Sequence, residues 1–424
     1  MFNLALKALS ASNFASFADK VSFTTQIDKN KKEFSQCTFS VGDESLNKVS
    51  YIYGANGSGK SFLCKILIEI QNMLTWSTIN LNAQAMQAFS QFDLRVPTFK
   101  FDLSYVNQPI SFSIDIMLDK VTYHYEFSVM GKEIIHELLT KKYRRTEILL
   151  ERHSPMHEDI FLRSDFKSFD IYKSTVKKES LCLAVANVLN YPLATEIVSA
   201  INSIYVINMA SPVFQPVDPH AAYSESRKAK YLEILKKADP TLRTLDVSIK
   251  EDDAKLPIPL GDFEDREIIA KRTTLSVNTG HAVYRDDIEE GYCSINFFTE
   301  QSLGTVKLFS ILPYVFDVLE KGGVLVLDEI ENGLHLLLVK GIINLFLDES
   351  QNPHNAQLIC TTHQPLLVDK NTRRDQVWVT NKNVFGKSYI NRLSTLSTSR
   401  AKINITNKLL EGAFGCNPEP FFDN

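Results

Sequence analysis

The residues best suited to chemistry form one short run, Gly54-Ala55-Asn56-Gly57-Ser58-Gly59-Lys60-Ser61. This run fits G-x-x-x-x-G-K-[ST], in which glycines let backbone N–H groups turn inward around phosphate oxygens. In that pattern the lysine, here Lys60, reaches the β- and γ-phosphates, and the hydroxyl of Ser61 binds Mg²⁺. The alternative is an ordinary glycine-rich turn. Strand-like residues before the run and helix-like residues after it favour a phosphate loop, with ATP and Mg²⁺ as ligands.

Two carboxylates, Asp328 and Glu329, follow the apolar run 324–327. A buried strand that ends in Asp places this side chain at the edge where α/β sheets bind ligands. We expect Asp328 to hold Mg²⁺ and Glu329 to orient or polarise a water for attack on the γ-phosphate. The alternative is a core strand followed by a solvated acidic turn. A phosphate loop needs a partner for its metal, and this pair is the best-placed candidate.

A histidine, His363, closely follows a further apolar run at 356–361. We expect it at the same sheet edge as Asp328 and the phosphate loop. There it could hydrogen-bond the γ-phosphate or the attacking water. A histidine taken alone is more often a surface or capping residue. Three strand ends that converge on one crevice favour the functional role.

The elements that must position these residues follow from the spacing of apolar side chains. Alternation over 49–53 and helical spacing from Phe62 to Leu74 predict a strand, a loop and a helix in that order. The later pattern predicts helix 302–320, strand 323–328, helix 333–348 and strand 356–361. Alternating helices and short apolar strands indicate a doubly wound parallel sheet. Alternation on both sides of Asp119-Lys120 predicts an antiparallel hairpin over 110–129.

The chain divides into three parts. Residues 1–134 carry the phosphate loop and the hairpin, and residues 291–424 carry the acidic strand end and His363. Between them, residues 135–290 are rich in charge and include a helical pattern from Glu225 to Lys237. We predict that this middle part is a mostly helical insertion. The two outer parts must therefore come together around it.

Composition limits the class of protein. A chain of 424 residues with 44% apolar and 23% charged residues is ordinary for a soluble globular protein. The net charge of −4 predicts no bulk attraction to nucleic acid or membranes. The six cysteines show no metal-ligand spacing, so we expect small buried hydrophobes in a reducing compartment. Because the sequence lacks a convincing signal peptide and any apolar stretch of about 18 residues, we expect a cytoplasmic protein without membrane contact.

The densest basic cluster of the sequence lies in the predicted insertion. Its members are Lys141, Lys142, Arg144 and Arg145. Acidic residues lie on both sides of them in the sequence, including Glu137, Glu147 and Glu151. Such interleaving predicts a solvated charged surface, and contact with nucleic acid is the alternative.

The order of these motifs resembles that of the ABC and SMC-like ATPases. The motifs that carry the resemblance are Asn13-Phe14 through Asp19, Gly54 to Ser61, Ser302-Leu303-Gly304-Thr305, Asp328 to His335, Thr362-His363 and Leu410 to Gly415. The closest resemblance is to bacterial "AAA family ATPase" proteins related to the overcoming-lysogenisation-defect ATPases. Several of those, of the RloA and AbiL type, serve in phage defence. The resemblance covers roughly 1–130 and 290–415.

The resemblance implies an α/β P-loop NTPase of the ABC ATPase type, with an antiparallel β subdomain beside the parallel sheet. It further implies that Ser302 and Gly304 form a signature loop that caps the γ-phosphate held by another subunit. A Ser beside a Gly at a helix start is also a good anion site, although Ser302 would serve equally well as a plain helix N-cap. The signature SLGT departs from the transporters' SGGQ, which argues against a transporter subunit. We assign no Q-loop glutamine, since Gln91 is only a weak match.

The function that the resemblance implies is ATP hydrolysis by a homodimer or higher homo-oligomer that acts as a nucleotide-driven switch. Its setting would be antiphage defence by abortive infection, with DNA or a phage-derived trigger. No second catalytic cluster is apparent in the sequence, so a nuclease or toxin effector would be a separate protein. The alternatives are an SMC-like DNA-binding ATPase of repair or recombination, and a scaffold that binds ATP without turnover.

Overall fold

The computed structural model describes most of the chain. The described residues are 4–28, 34–79, 96–211, 218–258, 266–396 and 405–415. Their side chains are described as well, except those of 78–79, 254–258 and 266–271.

Strands make up much of the described chain. In chain order they are β1 (Leu4–Ser12), β2 (Val21–Thr24), β3 (Thr38–Val41), β4 (Glu44–Asn47), β5 (Val49–Gly54), β6 (Ile110–Leu118), β7 (Val121–Met130), β8 (Glu133–Lys142), β9 (Thr146–Arg152), β10 (Ile160–Leu162), β11 (Tyr205–Asn208), β12 (Leu242–Ile258), β13 (Arg266–Arg285), β14 (Ile288–Asn296), β15 (Val324–Asp328), β16 (Gln357–Thr362), β17 (Val377–Lys382) and β18 (Ser388–Arg392).

The α-helices differ widely in length. They are α1 (Lys60–Ile79), α2 (Cys182–Val188), α3 (Pro192–Asn202), α4 (Pro219–Ala222), α5 (Glu225–Ala238), α6 (Phe297–Glu300), α7 (Leu303–Lys321), α8 (Leu336–Leu347) and α9 (Ile405–Leu410). The helices predicted at 302–320 and 333–348 correspond to α7 and α8. α8 begins later than predicted because the chain first turns through Gly333, whose φ is 77°, and His335 then caps the helix.

A six-stranded sheet forms the centre of the fold, in the order β11-β15-β16-β5-β17-β18. Its neighbouring strands run parallel except for the antiparallel pair of β17 and β18. β5, β15 and β16 are buried along their whole length. Strands buried on both faces are continuous apolar runs, which is why the sequence pattern identifies them.

Two hydrophobic cores cover the two faces of this sheet. Successive side chains of a strand point to opposite faces. Val324 and Val326 of β15 therefore pack in the core that contains α1, whereas Leu325 and Leu327 pack in the core that contains α7 and α8. Helices thus cover both faces, and the predicted α/β class with a doubly wound parallel sheet is confirmed.

A seven-stranded antiparallel sheet shares the core of α1, in the order β10-β9-β8-β7-β6-β1-β2. β6 and β7 form the hairpin predicted over 110–129, with Leu118 opposite Val121 at the turn. Their apolar side chains, such as Ile114 and Phe127, are buried in that shared core. The expected antiparallel β subdomain is therefore present, and its packing on α1 ties it to the phosphate loop.

The expectation of a mostly helical insertion over 135–290 is wrong. β8 crosses the predicted boundary and, with β9 and β10, extends the antiparallel sheet. β11 joins the edge of the parallel sheet, and β12 and β13 pair from Leu242 to Ile258 as a long ribbon. The charged stretch 250–253 lies within that ribbon and is exposed. Exposed charge does not distinguish a helix surface from a two-stranded ribbon, so the charge-rich pattern misled the prediction.

The cysteines follow the prediction with one exception. Cys37, Cys64, Cys182 and Cys360 are buried free thiols, as expected for small apolar residues. Cys293, on β14, is exposed, so the expectation of burial is wrong there. Cys416 lies outside the described residues. Among the described helices, none has both the length and the apolar character needed to cross a membrane.

Candidate active site

The phosphate loop connects the end of β5 to the start of α1. Gly57 and Gly59 adopt φ values of 76° and 110°, in the region that side chains other than glycine rarely occupy. Gly59 also lies against β18, since a Cβ there would come within 2.9 Å of the Ser388 hydroxyl oxygen. The loop is held to β17 by a 2.6 Å hydrogen bond between the hydroxyls of Ser58 and Thr380. Its conformation therefore requires both the glycines and the neighbouring strands.

Lys60 is the first residue of α1, and its side chain folds back under the loop. The ammonium nitrogen donates hydrogen bonds to the carbonyl oxygens of Gly54 and Ala55, at 2.6 and 2.9 Å. The residue is only 6% exposed. A positive charge thus lies beneath a loop of backbone N–H groups at a helix N-terminus, an arrangement suited to an anion.

Asp328 ends β15 and lies beside Ser61 of α1. Its Oδ1 accepts hydrogen bonds from the Ser61 hydroxyl at 3.1 Å and from the Thr361 hydroxyl at 2.6 Å. The carboxylate is buried, with 4% of the residue exposed. A serine hydroxyl and a carboxylate this close together offer the oxygen ligands that Mg²⁺ prefers. The two residues therefore fit the metal that the sequence predicts.

Glu329 follows in an unusual backbone conformation, with a φ of 56°. Its N–H donates to the hydroxyl oxygen of Thr361 at 2.7 Å, and its Oε2 accepts a hydrogen bond from Asn332 Nδ2 at 3.0 Å. A non-glycine residue in the left-handed region carries strain that its surroundings must offset, and such residues concentrate at functional sites. Thr361 thus holds both members of the acidic pair.

His363 follows β16 on the same edge of the sheet. Its Nδ1 lies 3.0 Å from Oε1 of Glu331, and its backbone N–H donates to the same oxygen at 2.7 Å. The His363 side chain is 56% exposed, whereas that of Glu331 is 11% exposed. A ring proton on Nδ1 would face this carboxylate and would leave Nε2 as the other ring nitrogen for a ligand.

One groove brings most of the predicted residues together. It is lined by Asn56, Gly57, Gly59, Lys60, Ser61, Phe62, Glu329, Asn332 and His363. Asp328 lies next to this groove through its hydrogen bond to Ser61. The phosphate loop, the acidic strand end and the histidine therefore meet at the edge of the sheet that the sequence indicates.

Ser302 and Gly304 are not among the residues that line this groove in the described part of the chain. The Ser302 hydroxyl oxygen accepts a hydrogen bond from the Thr305 N–H at 3.2 Å, so Ser302 is the N-cap of α7. Gly304 packs closely on another turn, since a Cβ there would lie 2.8 Å from the carbonyl oxygen of Gly333. Gln91 lies outside the described residues.

Sequence reasoning missed four residues that touch this site. They are Lys307, Glu331, Asn332 and Thr361. Glu331 and Asn332 stand within the acidic run that follows β15, so an inventory of every polar residue in that run would have included them. Thr361 and Lys307 carry no such signal, because their partners are distant in the chain.

The chain is similar to known proteins in structure and in sequence. The SMC head domain from Thermotoga maritima is 12% identical in sequence, with a TM-score of 0.38 over 91% of this chain and 98% of that chain. No curated protein matches the chain. The profile of one family, described as "AAA domain, putative AbiEii toxin, Type IV TA system", matches residues 49–197 and 224–369.

That match covers more than half of the chain and includes the phosphate loop, the acidic strand end and His363. The matched residues include the strands β5, β15 and β16 of the parallel sheet and the residues that line the groove at its edge. On this evidence, the chain belongs to the AAA-type ATPase family described as "AAA domain, putative AbiEii toxin, Type IV TA system".

Proposed function

We propose that this protein binds and hydrolyses ATP and acts as a dimeric, nucleotide-driven switch. One observation carries the proposal: Lys60 and Ser61 of the phosphate loop face Glu329 and His363 across a single groove. Family membership supports the ATPase activity at the level of the class.

Each residue of the groove has a chemical role in this proposal. The loop N–H groups and Lys60 bind the β- and γ-phosphates, and Ser61 and Asp328 hold Mg²⁺. Mg²⁺, when bound, offsets negative charge on the phosphate oxygens. Glu329 orients a water in line with the γ-phosphate and accepts its proton. His363, held by Glu331, presents Nε2 to the γ-phosphate or to that water.

The dimer is part of the proposal because of where Ser302 and Gly304 lie. They stand at the N-terminus of α7, outside the groove of their own chain, and Ser302 is exposed. A helix N-terminus with exposed polar groups suits a phosphate. We therefore assign these two residues to the nucleotide of a second copy, and closure of that sandwich is the switch.

Two variants test the chemistry. Lys60→Ala should remove nucleotide binding, and Glu329→Gln should lower kcat roughly a hundredfold while ATP affinity stays within about twofold. Lys65→Ala is the matched control for the first, since Lys65 is exposed on the same helix. Phosphate release and binding of a fluorescent ATP analogue measure the two effects. Turnover by Glu329→Gln at the rate of the wild-type protein would contradict the assignment.

The biological setting follows by analogy. We propose a sensor or regulator of an abortive-infection system against phage, with a separate nuclease or toxin as effector and DNA or a phage product as trigger. The resemblance to RloA- and AbiL-type proteins supports this, as does the toxin system that the family description names. Phage plating on cells that carry the gene with its neighbours, in the wild-type and Lys60→Ala forms, tests it. Equal plaque counts for both forms and for cells without the gene would contradict it.

A second candidate is an SMC-like ATPase that binds DNA directly. Lys120, Lys142 and Arg144 line one groove at the end of the antiparallel sheet, and Arg145 follows them. All four are exposed, and none of them forms an ion pair within the described part of the chain. Lys141 differs, because Glu147 and Asp165 neutralise it. If this candidate is right, the double variant Lys142→Glu/Arg144→Glu should lose salt-sensitive DNA binding. A double variant that binds DNA as tightly as the wild-type protein would exclude direct DNA binding by this surface.

A further inference from the structure

Asn332 connects the catalytic candidate Glu329 to the rest of the fold. Its Nδ2 donates a hydrogen bond to Oε2 of Glu329 at 3.0 Å. Its backbone N–H donates to the Glu329 carbonyl oxygen at 2.8 Å. The turn after β15 therefore folds back on Glu329, and Asn332 holds both its backbone and its carboxylate.

Lys307 holds the other side of Asn332. This lysine belongs to α7 and is 3% exposed. Its ammonium nitrogen donates hydrogen bonds to Oδ1 of Asn332 at 2.7 Å, to the Asn332 carbonyl oxygen at 3.3 Å and to the Met209 carbonyl oxygen at 2.6 Å. None of these acceptors is a carboxylate. Burial lowers the pKa of Lys307, and the nearby Glu329 acts in the opposite direction.

A buried ammonium is costly unless its protons are matched by acceptors. Here the three donors of the lysine meet three oxygens on two different segments, the turn after β15 and the residue after β11. An apolar side chain at this position of α7 would avoid that cost. The charge therefore points to a task beyond packing.

The charge of Lys307 also decides which way the Asn332 amide faces. An ammonium only donates hydrogen bonds, so the amide oxygen must face Lys307. The amide NH₂ group is then turned toward the Glu329 carboxylate, which only accepts. Without Lys307 the amide could rotate and present its oxygen to Glu329, which would lose the hydrogen bond.

A second contact joins α7 to the same turn. A Cβ on Gly304 would lie 2.8 Å from the Gly333 carbonyl oxygen, and a Cβ on Gly333 would lie 2.9 Å from Cδ of Lys307. The first turns of α7 and the turn that follows Glu329 are therefore packed at backbone distance. A shift of the helix start must move the atoms that hold Asn332.

We propose that Lys307 and Asn332 are positioning residues that tie the orientation of the Glu329 carboxylate to the placement of the α7 N-terminus. This inference rests on the proposed function, in which Ser302 and Gly304 at that N-terminus contact the nucleotide of a second copy. When Ser302 and Gly304 contact that nucleotide, the resulting position of α7 is transmitted to Glu329 of the same chain through Lys307 and Asn332. Each subunit can therefore orient its Glu329 carboxylate only when the N-terminus of its own α7 is in that position.

The test measures kcat and ATP-analogue affinity separately in the full-length protein. Lys307→Met removes the donor, and Asn332→Asp keeps the acceptor for Lys307 but removes the donor to Glu329. Each should lower kcat roughly tenfold or more and leave affinity within about twofold. Lys321→Met is the matched control, because Lys321 is an exposed lysine at the other end of α7. It should behave as wild type.

A double-mutant cycle tests the link to the signature. If Lys307 transmits the seating of α7, the kcat losses of Ser302→Ala and Lys307→Met should not multiply in the double variant. Losses that multiply would overturn the link, as would wild-type kcat for Lys307→Met in a protein that hydrolyses ATP. Circular dichroism shows whether each variant folds. If Lys307→Met does not fold, Lys307→Gln is used in its place, because its side chain is shorter and neutral but still has a hydrogen-bond donor. Absence of turnover in the wild-type protein itself would instead remove the proposed function, and this inference with it.

Discussion

Thr361 offers the sharpest test of how the site is built. Its hydroxyl donates to Asp328 Oδ1 at 2.6 Å and accepts from the Glu329 N–H at 2.7 Å, and the residue is fully buried. Thr361→Val keeps the shape of the side chain but removes both bonds. The perturbation is therefore confined to one oxygen atom that holds two neighbouring residues of the acidic strand end.

The expected loss follows from the kinds of bond that are removed. A hydrogen bond to a charged group contributes about 1.5–3 kcal/mol, and a neutral one contributes about 1 kcal/mol. The variant loses one of each, so its free energy of unfolding should fall by about 3 kcal/mol. Glu329 also loses the anchor of its strained backbone, and we expect kcat to fall roughly tenfold as its carboxylate becomes less well placed.

Thr362→Val is the matched control, because the neighbouring threonine is equally buried on the same strand. Its hydroxyl accepts a single neutral bond, from the Gln364 N–H at 2.9 Å. This variant should lose only about 1 kcal/mol. Urea unfolding monitored by circular dichroism measures both losses, and phosphate release measures kcat. A Thr361 variant that loses no more stability than the Thr362 variant would refute the reasoning.

Three further predictions concern other parts of the structure. Glu137→Ala should cost about 3–5 kcal/mol in urea unfolding, because the buried carboxylate accepts the backbone N–H groups that start α2. The hydrogen bond from His124 to Asp115 raises the pKa of this histidine from 6.5 to about 9. The wild-type protein should therefore be more stable than His124→Asn at a pH below the unfolded-state pKa of the histidine. This difference in the free energy of unfolding should disappear as the pH rises through the folded-state pKa. Gly54→Ala should weaken ATP binding roughly tenfold, because its Cβ would come within 2.2 Å of a β17 hydroxyl oxygen. Gly341→Ala is the control and should leave ATP binding unchanged, because its Cβ would meet open space.

Local patterns were sufficient wherever an element is amphipathic or wholly buried. The hairpin of β6 and β7, the helix that starts at Lys60, and the strand that ends at Asp328 were all predictable to within a few residues. Each of them shows its burial directly as a period of apolar side chains. The same patterns failed for β11 and for the ribbon of β12 and β13. β11 is a four-residue strand, and much of the ribbon is exposed, so neither has a long apolar signature.

The candidate site divides in the same way. Gly54 to Ser61, Asp328, Glu329 and His363 belong to short motifs whose residue types predict a phosphate loop, a metal ligand, a base and a polar partner. These motifs also indicate the sheet edge at which they meet, because the carboxyl ends of parallel strands lie together. The sequence by itself therefore determined which candidate groups line the groove and the kind of fold that carries them.

Only the tertiary structure decided how those groups are held. Thr361 binds the acidic pair from the next strand of the sheet. Glu331 accepts the His363 backbone N–H and lies 3.0 Å from Nδ1 of its ring. Lys307 reaches Asn332 from a helix that precedes β15 in the chain. A hydrogen bond depends on atomic positions within a few tenths of an ångström, and positions of residues far apart in sequence are set only when sheet and helices pack. The local sequence therefore predicted which polar groups form the site, but it did not predict how they are oriented.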